Sequence, residues 1–167
     1  MVLEPRALYA ERGEVNTSVK FEIGKARILR RGSDITVVSL GQMVNICRSA
    51  IDASGIDAEL IDLATIVPWD REAVLESVKK TGRLVVVEEA PESGGWGSEI
   101  VATVTAQLFS SLKGAPFRIT TPDVPVPYNG TLEARFIPTA EDIARQLAYA
   151  LKTGENPKTW WSLEGLK

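Results

Sequence analysis

The sequence predicts an α/β fold: a five-stranded, mainly parallel sheet with one antiparallel edge strand and helices on both faces. Three observations predict it. Short apolar runs alternate with helix-period segments four times after residue 34, the pattern of successive right-handed βαβ units. The run Leu84-Val85-Val86-Val87 is apolar at every position, as a strand covered on both faces requires. A further run at residues 25–29 is joined to the next only by the turn Arg30-Arg31-Gly32-Ser33, which suits an antiparallel edge.

The elements follow in order. Residues 1–22 are polar and aperiodic, with Pro5 and Gly13, and read as a lead-in. Strands are expected at 25–29 and 35–39. Met43, Ile46, Cys47, Ala50 and Ile51 then fall on one helical face, and Gly55 stops that helix. Residues 58–63 form the next strand. Asp70 caps a helix with Val74, Leu75 and Val78 inward, Lys79 and Lys80 at its negative end and Gly82 beyond it. After the 84–87 strand, a helix from Ser98 turns Ile100, Val101, Val104 and Leu108 inward. Residues 117–120 are the last strand. Residues 121–130 hold three prolines and form an extended loop. Thr139 to Asp142 is close to a capping box, opening a helix with Ile143, Leu147, Ala150 and Leu151 on one side. Trp160 and Trp161 lie beyond it, in a tail that either folds back or meets a partner.

Composition narrows the chemistry. Length suits one domain with a real core, and 44% hydrophobic with 25% charged residues is that of a globular protein. A net charge of −3 without a basic stripe gives no reason to expect nucleic acid. No apolar run approaches the roughly 18 residues of a membrane span, and the start has neither signal-peptide nor transit-peptide character, so a cytoplasmic location is expected. A single cysteine excludes an internal disulfide and a cysteine-based zinc site. The absence of histidine removes the commonest acid/base and excludes a Ser-His-Asp triad.

The candidate sites are few. The turn Gly94-Gly95-Trp96-Gly97 opening into Ser98 suits an anion, because free amides and the helix dipole both face it. It matches neither a dinucleotide fingerprint nor a Walker loop, and a tight turn with close backbone approach explains the glycines equally. Glu88, Glu89 and Glu92 cluster at the strand end. Adjacent residues in a strand point to opposite faces, so Glu88 and Glu89 read as rim or capping acids rather than an acid/base pair. Cys47, on an apolar helix face, reads as core. Tyr128 in the proline loop is either a contact residue or a plug holding the loop.

Several blocks together resemble the C-terminal domain of transketolase-like, thiamine-diphosphate-dependent enzymes, most nearly the beta subunit of 2-oxo acid dehydrogenases of the pyruvate, branched-chain or acetoin type. The blocks are residues 3–9 (LEPRALY), Gly24 to Ile28, Asp34 to Ser39, Ile61 to Ile66 with Pro68 and Asp70, Leu84 to Glu89, Gly94 to Glu99, Asp123 to Tyr128, and Ile137-Pro138. The likeness covers roughly residues 2–152, and order and spacing carry it more than any one block. It implies a doubly wound sheet. It also implies a lead-in over 1–22 from an N-terminal domain, a domain over 23–152 and a tail over 153–167.

In such enzymes an alpha subunit and a second beta subunit complete a heterotetramer that decarboxylates a 2-oxo acid and passes the acyl group to a lipoyl domain. Thiamine diphosphate and magnesium lie outside the segment matched here. The resemblance therefore implies no catalytic, cofactor or metal residue in this chain, which alone should be inactive. It implies assembly, with Asp123, Tyr128 and Glu133 as subunit contacts, and docking of the acyltransferase component's subunit-binding domain. The start at an inter-domain segment suggests half of a longer subunit or the product of a split gene. Two alternatives stand beside this: a free-standing ligand-binding or regulatory module with its anion at Gly95, Trp96, Gly97 and Ser98, and the C-terminal domain of a transketolase or deoxyxylulose-phosphate synthase.

Overall fold

The computed structural model describes residues 1–14, 18 and 20–162; the rest of the lead-in and the end of the tail, 163–167, lie outside the described residues. The strands are β1 (Arg27–Arg30), β2 (Ile35–Ser39), β3 (Ala58–Asp62), β4 (Leu84–Pro91) and β5 (Phe117–Thr121). The helices are α1 (Gln42–Ser54), α2 (Arg71–Thr81), α3 (Gly97–Leu108), the short α4 (Gly130–Glu133) and α5 (Ala140–Thr153). The strands form one sheet in the order β1-β3-β2-β4-β5, parallel except for β1, which runs antiparallel to β3.

Period-two alternation divides the core. Val85 and Val87 join Val37, Leu60 and Ile119 in a cluster covered by Met43, Cys47 and Ile51 of α1 and Ile143 and Leu147 of α5. Leu84 and Val86 face the other way, with Val38 and Ile61, under Val74 and Val78 of α2 and Ile100 and Val104 of α3. The uninterrupted apolar run in β4 thus serves two cores, one on each face of the sheet. Burial pushes the Cys47 thiol up to about 12, against the weaker pull of a hydrogen bond with Ser39, so it is an inert core side chain.

Local signals set the helix ends. Asp70 accepts from the Ala73 amide at 3.2 Å, and Gly82 closes α2 in the left-handed region at φ 76°. Thr139 and Asp142 form a reciprocal capping box on α5. The C-terminal end of α2 is fastened to the sheet by buried hydroxyls, with Thr36 Oγ1 2.7 Å from Ser77 and 2.9 Å from Thr81. Glu59, buried in β3, pairs with Lys80 beside them. Burial alone would raise the Glu59 pKa. Hydrogen bonds from Lys80 and Ser77, the Lys80 charge and the Gly32 amide outweigh it and hold the carboxyl below its ordinary value.

Apart from shifts of a single residue, two strand boundaries differ from expectation and one short helix is additional. β1 begins two residues late, because Lys25 closes a turn onto the Glu22 carbonyl and the Ala26 amide is taken by Asp70. β4 runs four residues past Val87, because its far end is held by β5 and by side chains described below. α4 follows the proline loop, started by Asn129, whose side chain accepts from the Thr131 and Leu132 amides.

Candidate functional site

In an open parallel sheet the natural place for a ligand is the crevice at the strands' carboxyl ends where the connections diverge. Here α1 leaves β2 over one face and α3 leaves β4 over the other, so the crevice falls between β2 and β4. Side chains of the chain itself brace it. Ser39 Oγ donates to the Val87 carbonyl at 2.9 Å, and Gln42 of α1 hydrogen-bonds Glu89 of β4.

The adjacent glutamates do point to opposite faces. Glu89 is exposed, whereas Glu88 is 1% exposed and cannot be a solvated rim residue. Its carboxylate receives Arg118 Nε at 2.6 Å and the Gly97 amide at 3.0 Å. Arg118, on β5, also donates to the carbonyls of Glu92 at 2.7 Å and Pro91 at 3.4 Å. One guanidinium thereby holds the buried charge and the turn that follows it, using the fixed fork that only arginine offers.

This arrangement explains Gly95 and Gly97, whereas Gly94 sits at φ 76° in the left-handed region. A Cβ on Gly95 would meet Glu88 Oε2 and the Pro91 carbonyl, both at 2.8 Å, and one on Gly97 would meet Glu88 Oε1 and Val86 Cγ1, both at 2.7 Å. The helix terminus already has its anion: Glu88 sits on the amide of Gly97. The Gly97 amide is thus taken by an internal carboxylate already paired with Arg118, and the Ser98 amide by the Gly95 carbonyl, so neither is free for an outside anion. The residues present do not fit a diphosphate. Among the described residues, no group of three or more His, Cys, Asp or Glu side chains could hold a metal ion.

The expected contact residues are placed differently from one another. Asp123 is exposed on the rim, accepting from the Ser93 amide at 2.9 Å and the Ser93 hydroxyl at 2.5 Å. The Ser93 hydroxyl and amide, with help from the Glu92 amide and the Arg118 charge, hold its carboxyl below the usual range. Asp123 thus pins the glycine turn to the start of the proline loop. Tyr128 is fully exposed and so is no plug; Val124, Val126 and Leu132 stand out beside it. Glu133 is exposed in the first turn of α4, where an acid suits the helix dipole. An open apolar groove lies nearby, between Asn45, Ile46 and Ser49 of α1 and Ile137 and Pro138.

Arg118 and Ser93 escaped the sequence reading, although a lone arginine in the apolar 117–120 strand was a usable signal. Trp160 folds back: it is 8% exposed and belongs to the α1/α5-side core.

Fold and rim together define a doubly wound α/β domain whose buried sheet-end acid, Glu88, is paired internally. Residues 24–143 match the family described as the transketolase C-terminal domain, and the chain belongs to that family. It is 43% identical over 130 residues to the mitochondrial 2-oxoisovalerate dehydrogenase subunit beta of Dictyostelium discoideum, a match covering 74% of this chain and 35% of that protein. With the acetoin:2,6-dichlorophenolindophenol oxidoreductase subunit beta of Cupriavidus necator it shares 39% identity over 157 residues, covering 92% of this chain and 46% of that one. The chain thus spans less than half the length of these relatives. Among solved structures, a split-gene transketolase in an inactive β4 tetramer superposes with a TM-score of 0.69 at 31% identity, over 83% of this chain and 46% of that one. Among the described residues, no helix is long and apolar enough to cross a membrane.

Proposed function

We propose that this chain is the assembly and partner-docking domain, over residues 23–152, of a 2-oxo acid dehydrogenase beta subunit. In the full heterotetramer, thiamine diphosphate and magnesium would be held elsewhere and supply the decarboxylation chemistry. An alpha subunit, a second beta subunit and the acyltransferase component's subunit-binding domain would be the partners. The observation that carries this reading is the contrast at the carboxyl end of the sheet. Its buried charges, Glu88 and Arg118, are consumed by each other and Asp123 is held by Ser93, while Val124, Val126, Tyr128 and Leu132 of the 122–132 segment are exposed. Such a surface suits protein contact better than small-molecule chemistry.

The expected result of titrating thiamine diphosphate with magnesium into the chain by calorimetry is no binding in the micromolar range. Micromolar affinity would overturn the reading. A second reading, that the partner half is a transketolase, is favoured by the split-gene structure at 31% identity. Mixing the chain with either class of partner half and assaying each reaction separates the two.

Tyr128 is the proposed anchor of the contact, with Glu133 at its polar rim and Asp123 fixing the loop from behind. Tyr128→Ala is expected to weaken self-association by up to about 2–4 kcal/mol, the range of an aromatic hot spot. Sedimentation across a dilution series reads this directly, and an unchanged profile would remove Tyr128 from the interface.

A further inference from the structure

The tail that follows α5 is bonded to α5 and to the departing stem of the proline loop, and its tryptophans join the core. The Trp160 indole N–H donates to the Thr120 carbonyl at 2.8 Å. β5 is the sheet's outer strand, and at a free edge outward carbonyls have no strand partner, so this bond supplies one. Gln146 of α5, itself buried, donates from Nε2 to the Lys158 carbonyl at 3.0 Å and fixes the tail's course two residues earlier. The Trp160 ring lies in the cluster that holds Ile119, Ile143 and Leu147. Trp161 packs edge-on against Trp160 at 5.5 Å, and Ile137 packs against the same cluster. Thr120 precedes the loop that leaves β5, and Ile137 follows α4 at its return. The departing stem of the 122–136 segment is thus bonded to Trp160, and the returning stem packs on the cluster that contains its ring.

We propose that residues 156–162 are a strap that sets the conformation of the 122–136 segment, so that releasing the strap loosens the segment while the sheet persists. Among the described residues, the hydrogen bonds of that segment are short-range except the Asp123–Ser93 pin, which holds only its departure. The consequence for partner binding rests on the assembly reading above: a displaced strap would disorder the surface that carries Tyr128.

The test is hydrogen exchange on the whole chain, at a concentration where sedimentation shows a monomer. A chain ending at Asn156 is expected to exchange the 129–137 peptide about tenfold faster, with peptides from β2 and β4 unchanged. Trp160→Phe keeps an aromatic ring in the core, though a smaller one, and removes the donor, and about a fivefold increase confined to the same peptide is expected. If the shortened chain exchanges faster everywhere, the phenylalanine variant decides. An increase confined to 129–137 supports the strap, and a uniform increase or none overturns it. Because the readout is taken on monomer, a failure of the assembly reading would show only in sedimentation and leave this result standing.

Discussion

Arg118→Ala is expected to cost about 3–5 kcal/mol of folding stability, the range for removing one partner of a buried ion pair. Glu88 has no exposed side-chain surface and Arg118 is 16% exposed, so solvent screens the pair little. Without the guanidinium, the Glu88 carboxylate would keep only the Gly97 amide, and the carbonyls of Pro91 and Glu92 would lose their donor. The cost is that of an uncompensated buried charge rather than the net worth of the pair. Replacing both residues, Glu88→Met with Arg118→Leu, should therefore recover much of the loss. Arg118→Lys should fall between, since one ammonium cannot reach carboxylate and both carbonyls at once. Urea denaturation at neutral pH measures all three. A loss under about 1 kcal/mol for Arg118→Ala would place the pair among surface salt bridges and remove it as the clamp of the turn.

The same pair marks where the sequence could and could not be read. The layers followed from periodicity: Val85 and Val87 against Leu84 and Val86 is a pattern that only a doubly covered strand needs, and both clusters exist. The caps at Asp70 and Thr139 were legible because they are local, each bond spanning three residues. Glu88 reads from sequence as a rim or capping acid. It does accept the first amide of α3, but it is buried rather than on the rim because Arg118, thirty positions away, pairs with it, and nothing within the β4 segment reports Arg118. The glycine turn was ambiguous for the same reason. Amides free in the local sequence are free in the fold only if no carboxylate is turned onto them, and Glu88, fixed by the remote Arg118, is turned onto Gly97. Trp160 was undecided between core and partner because a tail's destination is wholly a matter of tertiary contact, here with Thr120, forty residues earlier. The family likeness was carried by blocks spread along the chain, which is why it succeeded where single motifs did not.

Gly97→Ala is expected to destabilise the domain by about 1–3 kcal/mol, against the ordinary sign of this change in a helix. In an unconstrained helical position alanine gains about 1 kcal/mol over glycine, because it loses less backbone freedom on folding. At Gly97, however, the added methyl would meet Glu88 Oε1 and Val86 Cγ1 at 2.7 Å, well inside van der Waals contact. Neither neighbour is free to move: Val86 is fully buried in the α2/α3-side core, and Glu88 is held by Arg118. Relief must come from shifting α3 or tilting the carboxylate, and the second stretches the ion pair. The effect should accordingly couple to the pair. In a Glu88→Ala background, where the oxygen is gone, Gly97→Ala should lose much of its cost, and the non-additivity of the two changes reads the contact itself. Gly130→Ala is the control. It opens α4, a Cβ there meets nothing within 4 Å, and it should be neutral or slightly stabilising. If both glycine substitutions raised stability alike in denaturant melts, the turn would owe its glycines to something other than the approach of Glu88.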